Sequence, residues 1–226
     1  MQVILMGAQG SGKGTQAAIL SPAWALEKIA TGDLFRTAIA EGDELGTRVK
    51  VIYDRGELIP DEITIALVRQ RLHAVAMAQA DEENVRGALY DGFPRTRPQA
   101  AALDEALEEY GERVDVVIEI AVPLDILIAR LAGRRVCAKC GAIYHIAHDA
   151  PKREGICDLC GGELIQREDD RPGPIRRRLS TYFAETEPLL MHYRERGLLR
   201  VVNGDQTVES VTAAINRELN LLLIRS

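Results

Sequence analysis

The sequence has no long apolar run. No segment of the 226-residue sequence has enough consecutive apolar residues to cross a bilayer. The N-terminus, MQVILMGAQG, has only the short apolar run VILM before its first glycine, and no basic residue precedes that run. This pattern is neither a secretory signal nor a membrane span. We therefore expect a cytoplasmic protein with no membrane partner.

Basic charge is scarce as well. The chain has 28 Lys and Arg against 34 Asp and Glu, which gives a formal net charge of −6. General binding of DNA or of an anionic membrane requires a net basic face, so we expect no nucleic-acid partner. Most of the positive charges are arginines, whose planar fork matches phosphate oxygens. The composition therefore still allows a small polyphosphate ligand where arginines converge.

Cysteine is confined to one short segment, CAKCGAIYHIAHDAPKREGICDLC at 137–160. All four cysteines lie there as two CxxC pairs: Cys137, Cys140, Cys157 and Cys160. In a reducing compartment such pairs favour a metal over disulfides. Four thiolates complete a tetrahedral zinc site and leave no position for a substrate, so the spacing predicts a structural zinc ribbon. Iron fits the same thiolate set, and the sequence leaves that alternative open.

Two histidines, His145 and His148, lie between the CxxC pairs. A complete set of four cysteines makes them unnecessary as metal ligands. The segment mixes basic and acidic residues and lacks a stripe of basic and aromatic side chains, which argues against a nucleic-acid-binding ribbon. We expect the metal to hold this segment in shape rather than to react.

The rest of the chain alternates apolar runs with helical patterns. The runs predict buried strands at 3–6, 89–90, 114–122 and 199–202. Helical spacing of apolar residues is clearest at 63–75, 103–107 and 208–222. Strands that alternate with helices predict an α/β fold with a parallel sheet flanked by helices. Two glycine-punctuated segments, 30–59 and 133–170, read as insertions on a core made of 1–29, 60–132 and 171–226.

The segment GAQGSGKGT at 7–15 follows the first predicted strand and precedes a helix expected from about Lys13. This is the context of a phosphate-binding loop, because glycines let backbone N–H groups approach phosphate oxygens and the helix start adds partial positive charge. A glycine-rich turn that binds nothing is the alternative, and the register of strand, glycines, lysine and helix argues against it. The loop residues are Gly10, Ser11, Gly12, Lys13, Gly14 and Thr15.

Gly14 stands where the simple loop pattern has Ser or Thr. The pattern therefore does not place a hydroxyl ligand for Mg²⁺ at that position. We expect the nucleotide phosphates and water to hold Mg²⁺, with Asp91 at a predicted strand end orienting the water.

Several segments resemble the adenylate kinases. GxxGxGKGTQ at 7–16 resembles the phosphate loop of that family, and the other matches follow in the family's order: TGDLFR at 31–36, DGFPRT at 91–96 with Gln99, GRR at 133–135 and REDD at 167–170. The matches span residues 1 to about 206, and the pair GxGKGT and DGFPRT is highly specific. The resemblance implies a P-loop NTPase-like fold with an AMP-binding insertion at 30–59 and a lid with a zinc ribbon at 133–170.

By this resemblance the loop wraps the phosphates of ATP, and Lys13 stabilises the moving phosphoryl group. Arg134 would contact the ATP phosphates, and Arg130 would stack on the adenine. Ile143 and Tyr144 would touch the base or the ribose, and Gln206 would contribute its backbone carbonyl.

The resemblance also implies an AMP site and a central clamp, formed by Thr31, Arg36, Arg95, Arg167 and Arg178, with Gly92, Phe93 and Pro94 in the loop between them. The adenine of AMP would be read by Glu57, Leu58, Ile59 and Gln99, the last through an amide that donates and accepts. Asp169 and Asp170 resemble lid carboxylates that hold the clamp arginines. RPGPI at 171–175 departs from the family's acidic helix start. We expect a helix from Pro174, and the sequence leaves open which of Arg176, Arg177 and Arg178 makes the clamp contact.

The activity implied is reversible phosphoryl transfer from ATP to AMP, giving two ADP, in a monomer that uses Mg²⁺ with ATP and structural zinc in the lid. Two alternatives stay open from the sequence. One is a kinase with another donor, such as GTP, or another nucleoside monophosphate acceptor. The other is a zinc-ribbon ATPase or nucleic-acid-binding regulator.

Overall fold

The computed structural model of the chain describes residues 1–80, 84–147 and 149–225. Its centre is a sheet of five parallel strands in the order β2-β3-β1-β4-β8. The strands are β1 (Gln2–Met6), β2 (Leu26–Ala30), β3 (Gly87–Asp91), β4 (Val116–Ala121) and β8 (Leu199–Asn203). The predicted parallel sheet is thus confirmed, and the strand that the sequence did not predict is β2.

Helices cover both faces of this sheet. They are α1 (Lys13–Trp24), α2 (Thr31–Glu41), α3 (Glu44–Asp54), α4 (Asp61–Ala80), α5 (Arg97–Glu108), α6 (Leu124–Gly133), α7 (Pro172–Thr181), α8 (Pro188–Glu195) and α9 (Val208–Arg225), with a π-helical turn at Tyr182–Thr186 before α8. None of the helices in the described part of the chain is long and apolar enough to cross a membrane.

Successive side chains of each strand alternate between the two faces of the sheet, and each face packs against its own layer of helices. On one face, Ile4 and Tyr90 pack with buried residues of α4, α5 and α8. On the other face, Leu5 and Ile118 pack with buried residues of α1 and α9. Successive side chains of a strand point to opposite faces, so short apolar runs buried on both sides are what a covered parallel sheet requires.

The topology brings the loops after β1 and β3 together at the carboxyl end of the sheet. β1 lies between β3 and β4, so the chain leaves β1 at the point where the strand order reverses. In open parallel sheets, ligands bind outside the carboxyl ends of the strands at such a switch point. The glycine-rich loop after β1 and Asp91 at the end of β3 both lie there.

The segment at 30–59 forms the helical pair α2 and α3. Gly46 lies inside α3, where a β-carbon would come within 2.1 Å of the backbone oxygen of Ala38 in α2. This glycine therefore allows two helices to pack closely. Phe35, Val49 and Ile59 form the small core of this segment.

The segment at 133–170 forms a separate antiparallel sheet in the order β6-β5-β7, from β5 (Arg134–Cys137), β6 (Ile143–His145) and β7 (Leu164–Ile165). A 3₁₀ turn at Glu168–Asp170 ends it. The helix after it begins at Pro172, two residues before the expected start at Pro174. Both prolines fall in the first turn, where a missing N–H breaks no hydrogen bond within the helix. The division of the chain into a core and two insertions that move as units stays a prediction.

Candidate active site

The glycine-rich loop wraps the start of α1. Gly12 is the residue before the helix and has φ 101°, a left-handed conformation that favours glycine. At Gly7 a β-carbon would lie 2.7 Å from the backbone oxygen of Ile120, so only glycine lets the loop lie against the end of β4. The hydroxyl of Ser11 is buried and has no hydrogen-bond partner among the described residues. The loop thus leaves polar groups at a helix N-terminus for a phosphate.

Lys13 folds back over this loop. Its Nζ donates to the backbone oxygens of Gly7 at 2.7 Å and Ala8 at 2.9 Å. Loss of water around the ammonium lowers the pKa of Lys13 to about 8, an effect that nearby Asp91 opposes and nearby Arg95 adds to. Lys13 lines a recess together with Gly7, Gly92 and Arg95. A lysine that shares a recess with a guanidinium group is in a site suited to a polyanion.

Asp91 lies at the end of β3, half-buried and beside the loop. A β-carbon on Gly14 would lie 3.4 Å from its Oδ2. A carboxylate oxygen at this distance from a phosphate loop is the kind of hard ligand that Mg²⁺ takes, either directly or through water. The residues present therefore fit a Mg²⁺ ion carried in with the nucleotide.

Arg36 is held from two sides in α2. Its Nη1 donates to the hydroxyl of Tyr53 at 2.8 Å, and its Nη2 pairs with Asp33. Burial by itself would lower the pKa of Arg36, but Tyr53 and Asp33 together raise it. Sequence reasoning missed Tyr53, because an isolated tyrosine in an insertion gives no signal of its own.

Two further arginines converge on the same space. Burial and then the charge of Arg178 lower the pKa of Arg95, whose Nε donates to the backbone oxygen of Gly92 at 2.8 Å. Burial and then the charge of Arg36 lower the pKa of Arg167. Like charges that destabilise one another in a recess are stabilised by an incoming anion. The clustered charges therefore suit an anion where the insertion at 30–59, the segment at 133–170 and the core meet.

Two buried carboxylates position the arginines next to the lid segment. Arg134 pairs with Asp170, which is fully buried, and its Nε lies 2.7 Å from Oδ2 of that carboxylate. Arg178 pairs with Asp169 at 2.7 Å. Of the three arginines that the sequence left open, Arg178 is the least exposed, and its part in the clamp stays a prediction. The side chain of Arg178 is 16% exposed, whereas that of Arg177 is 50% exposed and lies 4.0 Å from Glu57.

Two of the predicted AMP-site residues, Gln99 and Thr31, contact the DGFPRT loop at 91–96. Gln99 is 1% exposed; its Oε1 accepts from the backbone N–H of Arg95 at 2.8 Å, and its Nε2 donates to Asp61 at 2.7 Å. Thr31 is also buried, and its hydroxyl donates to the backbone oxygen of Gly92 at 3.0 Å. Asp61 is a second residue that sequence reasoning missed. An acidic residue at the start of a helix is common, so its position gave no sign of a contact with Gln99.

The rest of the predicted set falls into buried and exposed groups. Buried side chains are those of Ile59, Phe93 and Pro94; Leu58 is half-buried and Glu57 is exposed. Arg130 of α6 donates to the backbone oxygen of Gly204, just after β8, at 3.1 Å. Gly204 lies two residues before Gln206, which is exposed. Arg130 and Gln206 therefore lie near each other, and their contact with a base stays a prediction.

Tyr144 does not face the recess with its hydroxyl. That oxygen accepts the backbone N–H of Asp158 at 2.8 Å and lies 3.5 Å from Sγ of Cys157. Hydrogen bonding from Tyr144 lowers the pKa of the Cys157 thiol to about 6, although burial acts in the opposite direction. The hydroxyl of Tyr144 therefore serves the segment around the cysteines, and contact of this residue with the base or ribose stays a prediction. Ile143, which is 42% exposed, keeps an open face.

The four cysteines come together as predicted. Their Sγ atoms all lie within 4.8 Å of one another, with 3.5 Å between Cys137 and Cys160 and 3.6 Å between Cys140 and Cys157. Tetrahedral zinc with bonds of about 2.3 Å sets its sulfurs about 3.8 Å apart, so the cluster fits a zinc ion. His145 does not join it, since its Nδ1 accepts from the backbone of Ala147. His148 lies outside the described residues.

A glycine-rich loop between a central parallel strand and a helix, with a lysine and several arginines around it, defines a P-loop protein that binds phosphates. The family model described as adenylate kinase matches residues 5–198. The chain therefore belongs to the adenylate kinase family.

Curated relatives match nearly the whole chain. The adenylate kinase of Moorella thermoacetica is 48% identical over 219 residues, which is 97% of this chain and 98% of the relative. That of a Geobacillus species (strain WCH70) is 47% identical over 219 residues, with the same coverage. That of Caldicellulosiruptor bescii is 43% identical over 221 residues, which is 98% of this chain and all of the relative.

Proposed function

We propose that the protein transfers a phosphoryl group reversibly from ATP to AMP and gives two ADP. The observation that carries this proposal is the convergence of Lys13 with Arg95, Arg178 and Arg134 beside the phosphate loop, where burial lowers the pKa of both Lys13 and Arg95. A cluster of buried positive charges suits a ligand with more than one phosphate. Phosphoryl transfer needs alignment and neutralisation of charge more than covalent help from the protein. The acceptor is itself a phosphate, ionised near neutral pH, so no strong general base is required.

On the donor side, the loop of Gly10, Ser11, Gly12, Lys13, Gly14 and Thr15 wraps the ATP phosphates. Lys13 and Arg134 neutralise the charge that develops on the moving group. Arg130 stacks on the adenine, and the base or ribose lies against Ile143, Tyr144 and the backbone at Gln206. Asp91 would orient water around Mg²⁺. When bound with ATP, Mg²⁺ supplies further neutralisation of phosphate charge.

On the acceptor side, Arg36 and Arg95 bind the phosphate of AMP. Arg167 and Arg178 span the two substrates as the central clamp. The base lies against the residues Thr31, Glu57, Leu58, Ile59, Gly92, Phe93, Pro94 and Gln99. Both insertions close over the substrates and exclude water, which would otherwise accept the phosphoryl group.

The cysteine cluster holds structural zinc, which fixes the fold of the lid and takes no part in the transfer. We propose that the protein works as a cytoplasmic monomer on ATP, AMP and ADP, without a nucleic-acid or membrane partner. The four clustered thiolates suit a closed zinc site, and metal analysis of the purified protein distinguishes zinc from iron, which the same ligands would hold.

A rate panel tests the function. ATP, GTP, CTP and UTP are paired with AMP, UMP, CMP and GMP, and formation of both diphosphates is measured. We expect ATP with AMP to be the fastest pair and ATP hydrolysis without AMP to be slower by about a hundredfold or more. Hydrolysis at a similar rate with and without AMP, or stimulation by DNA or RNA, would overturn the proposal.

A further inference from the structure

We propose that Asp61 fixes the orientation of the Gln99 side-chain amide and so makes the acceptor site select adenine over 6-oxopurines such as hypoxanthine. This inference rests on the proposed function, since it concerns the base of the acceptor nucleotide. Asp61 is the first residue of α4 and connects the end of the insertion at 30–59 to the start of α5. It is a positioning residue, because it acts on the base through Gln99.

Both oxygens of Asp61 are engaged. Oδ1 accepts from Nε2 of Gln99 at 2.7 Å, and Oδ2 accepts from the hydroxyl of Thr96 at 2.9 Å. The Thr96 oxygen in turn accepts the backbone N–H of Gln99 at 3.3 Å, as the cap of α5. The hydroxyl has a single proton, which it gives to Asp61, so the direction of every hydrogen bond in this chain is determined.

The partners of Gln99 allow one orientation of its amide. An ionised carboxylate only accepts hydrogen bonds, so the NH₂ group must face Asp61. The backbone N–H of Arg95 only donates, so Oε1 must face that group. Rotating the amide by half a turn would set oxygen against carboxylate and NH₂ against N–H. Because Gln99 is 1% exposed, water cannot readily rescue those contacts.

The amide keeps one N–H and one lone pair for a ligand. Adenine offers an amino group at position 6 and a bare ring nitrogen at position 1, so it needs an acceptor and a donor in that order. Hypoxanthine offers an oxygen at position 6 and an N–H at position 1, which is the reverse order. A freely rotating amide would serve either base, whereas a fixed amide serves one of them. Asp61 and the backbone N–H of Arg95 therefore fix the amide together, and Asp61 is the side chain through which this discrimination can be altered.

The test compares kcat/KM for AMP and for IMP at saturating ATP in the wild type and in Asp61→Ala. We expect Asp61→Ala to lower the AMP-to-IMP ratio about tenfold, chiefly through a higher KM for AMP, with the KM for ATP within about twofold of wild type. Asp61→Asn retains an oxygen for Gln99 and should keep the ratio within about threefold. Glu62→Gln is the matched control, since it removes an exposed carboxylate from the same helical turn and should leave the ratio unchanged.

An unchanged ratio in folded Asp61→Ala, or equal losses for AMP and ATP, would overturn the inference. If Asp61→Ala does not fold, Thr96→Val removes the hydroxyl that aligns the carboxylate and should lower the ratio about threefold; an unchanged ratio in that variant would also overturn it. A wild type that does not phosphorylate AMP defeats the proposed function instead, so the two failures are distinguishable.

Discussion

Arg134 donates from Nε to Oδ2 of Asp170 over 2.7 Å, and this carboxylate has no exposure to solvent. Its other oxygen lies 3.6 Å from Nη1 of Arg178. Arg134 opens the segment at 133–170, and Arg178 lies in the helix after it. One buried acid therefore sets the position of an arginine on each side of the lid segment.

Asp170→Asn should weaken both arginine contacts at once. Removing one partner from a buried charge pair costs about 3 kcal/mol, so the melting temperature should fall. Turnover should fall by about tenfold to a hundredfold, because misplaced arginines no longer meet the transferred group. Glu168→Gln is the control: Glu168 pairs with Arg171 on the surface, and its loss should change stability by less than about 1 kcal/mol. Equal effects of the two substitutions would contradict this role for Asp170.

Much of the fold was predictable because it follows from local apolar patterns. β1 and β4 are runs of apolar residues, and the sheet buries them on both faces. β2, LEKIA at Leu26–Ala30, was not predicted because it is an edge strand whose Glu27 and Lys28 are only half-buried. The helices α2 and α3 were not predicted because glycines interrupt the helical pattern of their sequence. Gly46 is needed for a close contact with Ala38 of the other helix, which the sequence alone does not show.

The site was predictable where a motif specifies it, and unpredictable where contacts between distant segments do. The phosphate loop and the four cysteines carry their chemistry in their spacing. Tyr53 and Asp61 act through Arg36 and Gln99, and no spacing links these pairs along the chain.

Removal of the Tyr144 hydroxyl tests whether this residue serves the metal site or the nucleotide. Tyr144→Phe removes the donor to Cys157 and should destabilise the protein by about 1 kcal/mol and speed zinc release to a chelator. The KM for ATP should change less than twofold or so, because the hydroxyl faces away from the recess. Tyr110→Phe removes a hydroxyl that contacts His73 on the surface and should leave zinc release unchanged. A large rise in the KM for ATP with normal zinc retention would restore the nucleotide role.

Loss of the metal should affect stability far more than catalysis. Cys137→Ser leaves three thiolates and should lower the melting temperature by about 10 °C, since metal binding contributes directly to folding of the ribbon. Turnover measured well below that temperature should stay within about threefold of wild type, because the closed site has no position for a substrate. A chelator should lower the melting temperature of the wild type toward that of the variant and leave the variant unchanged. Abolished turnover in a protein that stays folded would contradict a structural assignment.

The pH dependence of the reaction should report Lys13. Its pKa of about 8 in the free protein means that the ammonium is charged below that pH and loses its charge above it. The charged form binds phosphate, so kcat/KM for ATP should fall above pH 8 by up to about tenfold per pH unit. Bound phosphates favour the charged lysine, so the decline in kcat should occur at higher pH. Rates measured from pH 6.5 to about 9.5 give kcat/KM at low ATP and kcat at saturating ATP, and so the decline of each with pH.

In Lys13→Arg the guanidinium keeps its charge throughout, and the decline in kcat/KM should disappear from whatever activity remains. A wild-type kcat/KM that stays flat across this range would show that Lys13 retains its proton in the free protein, and that burial and the neighbouring arginines do not depress its pKa.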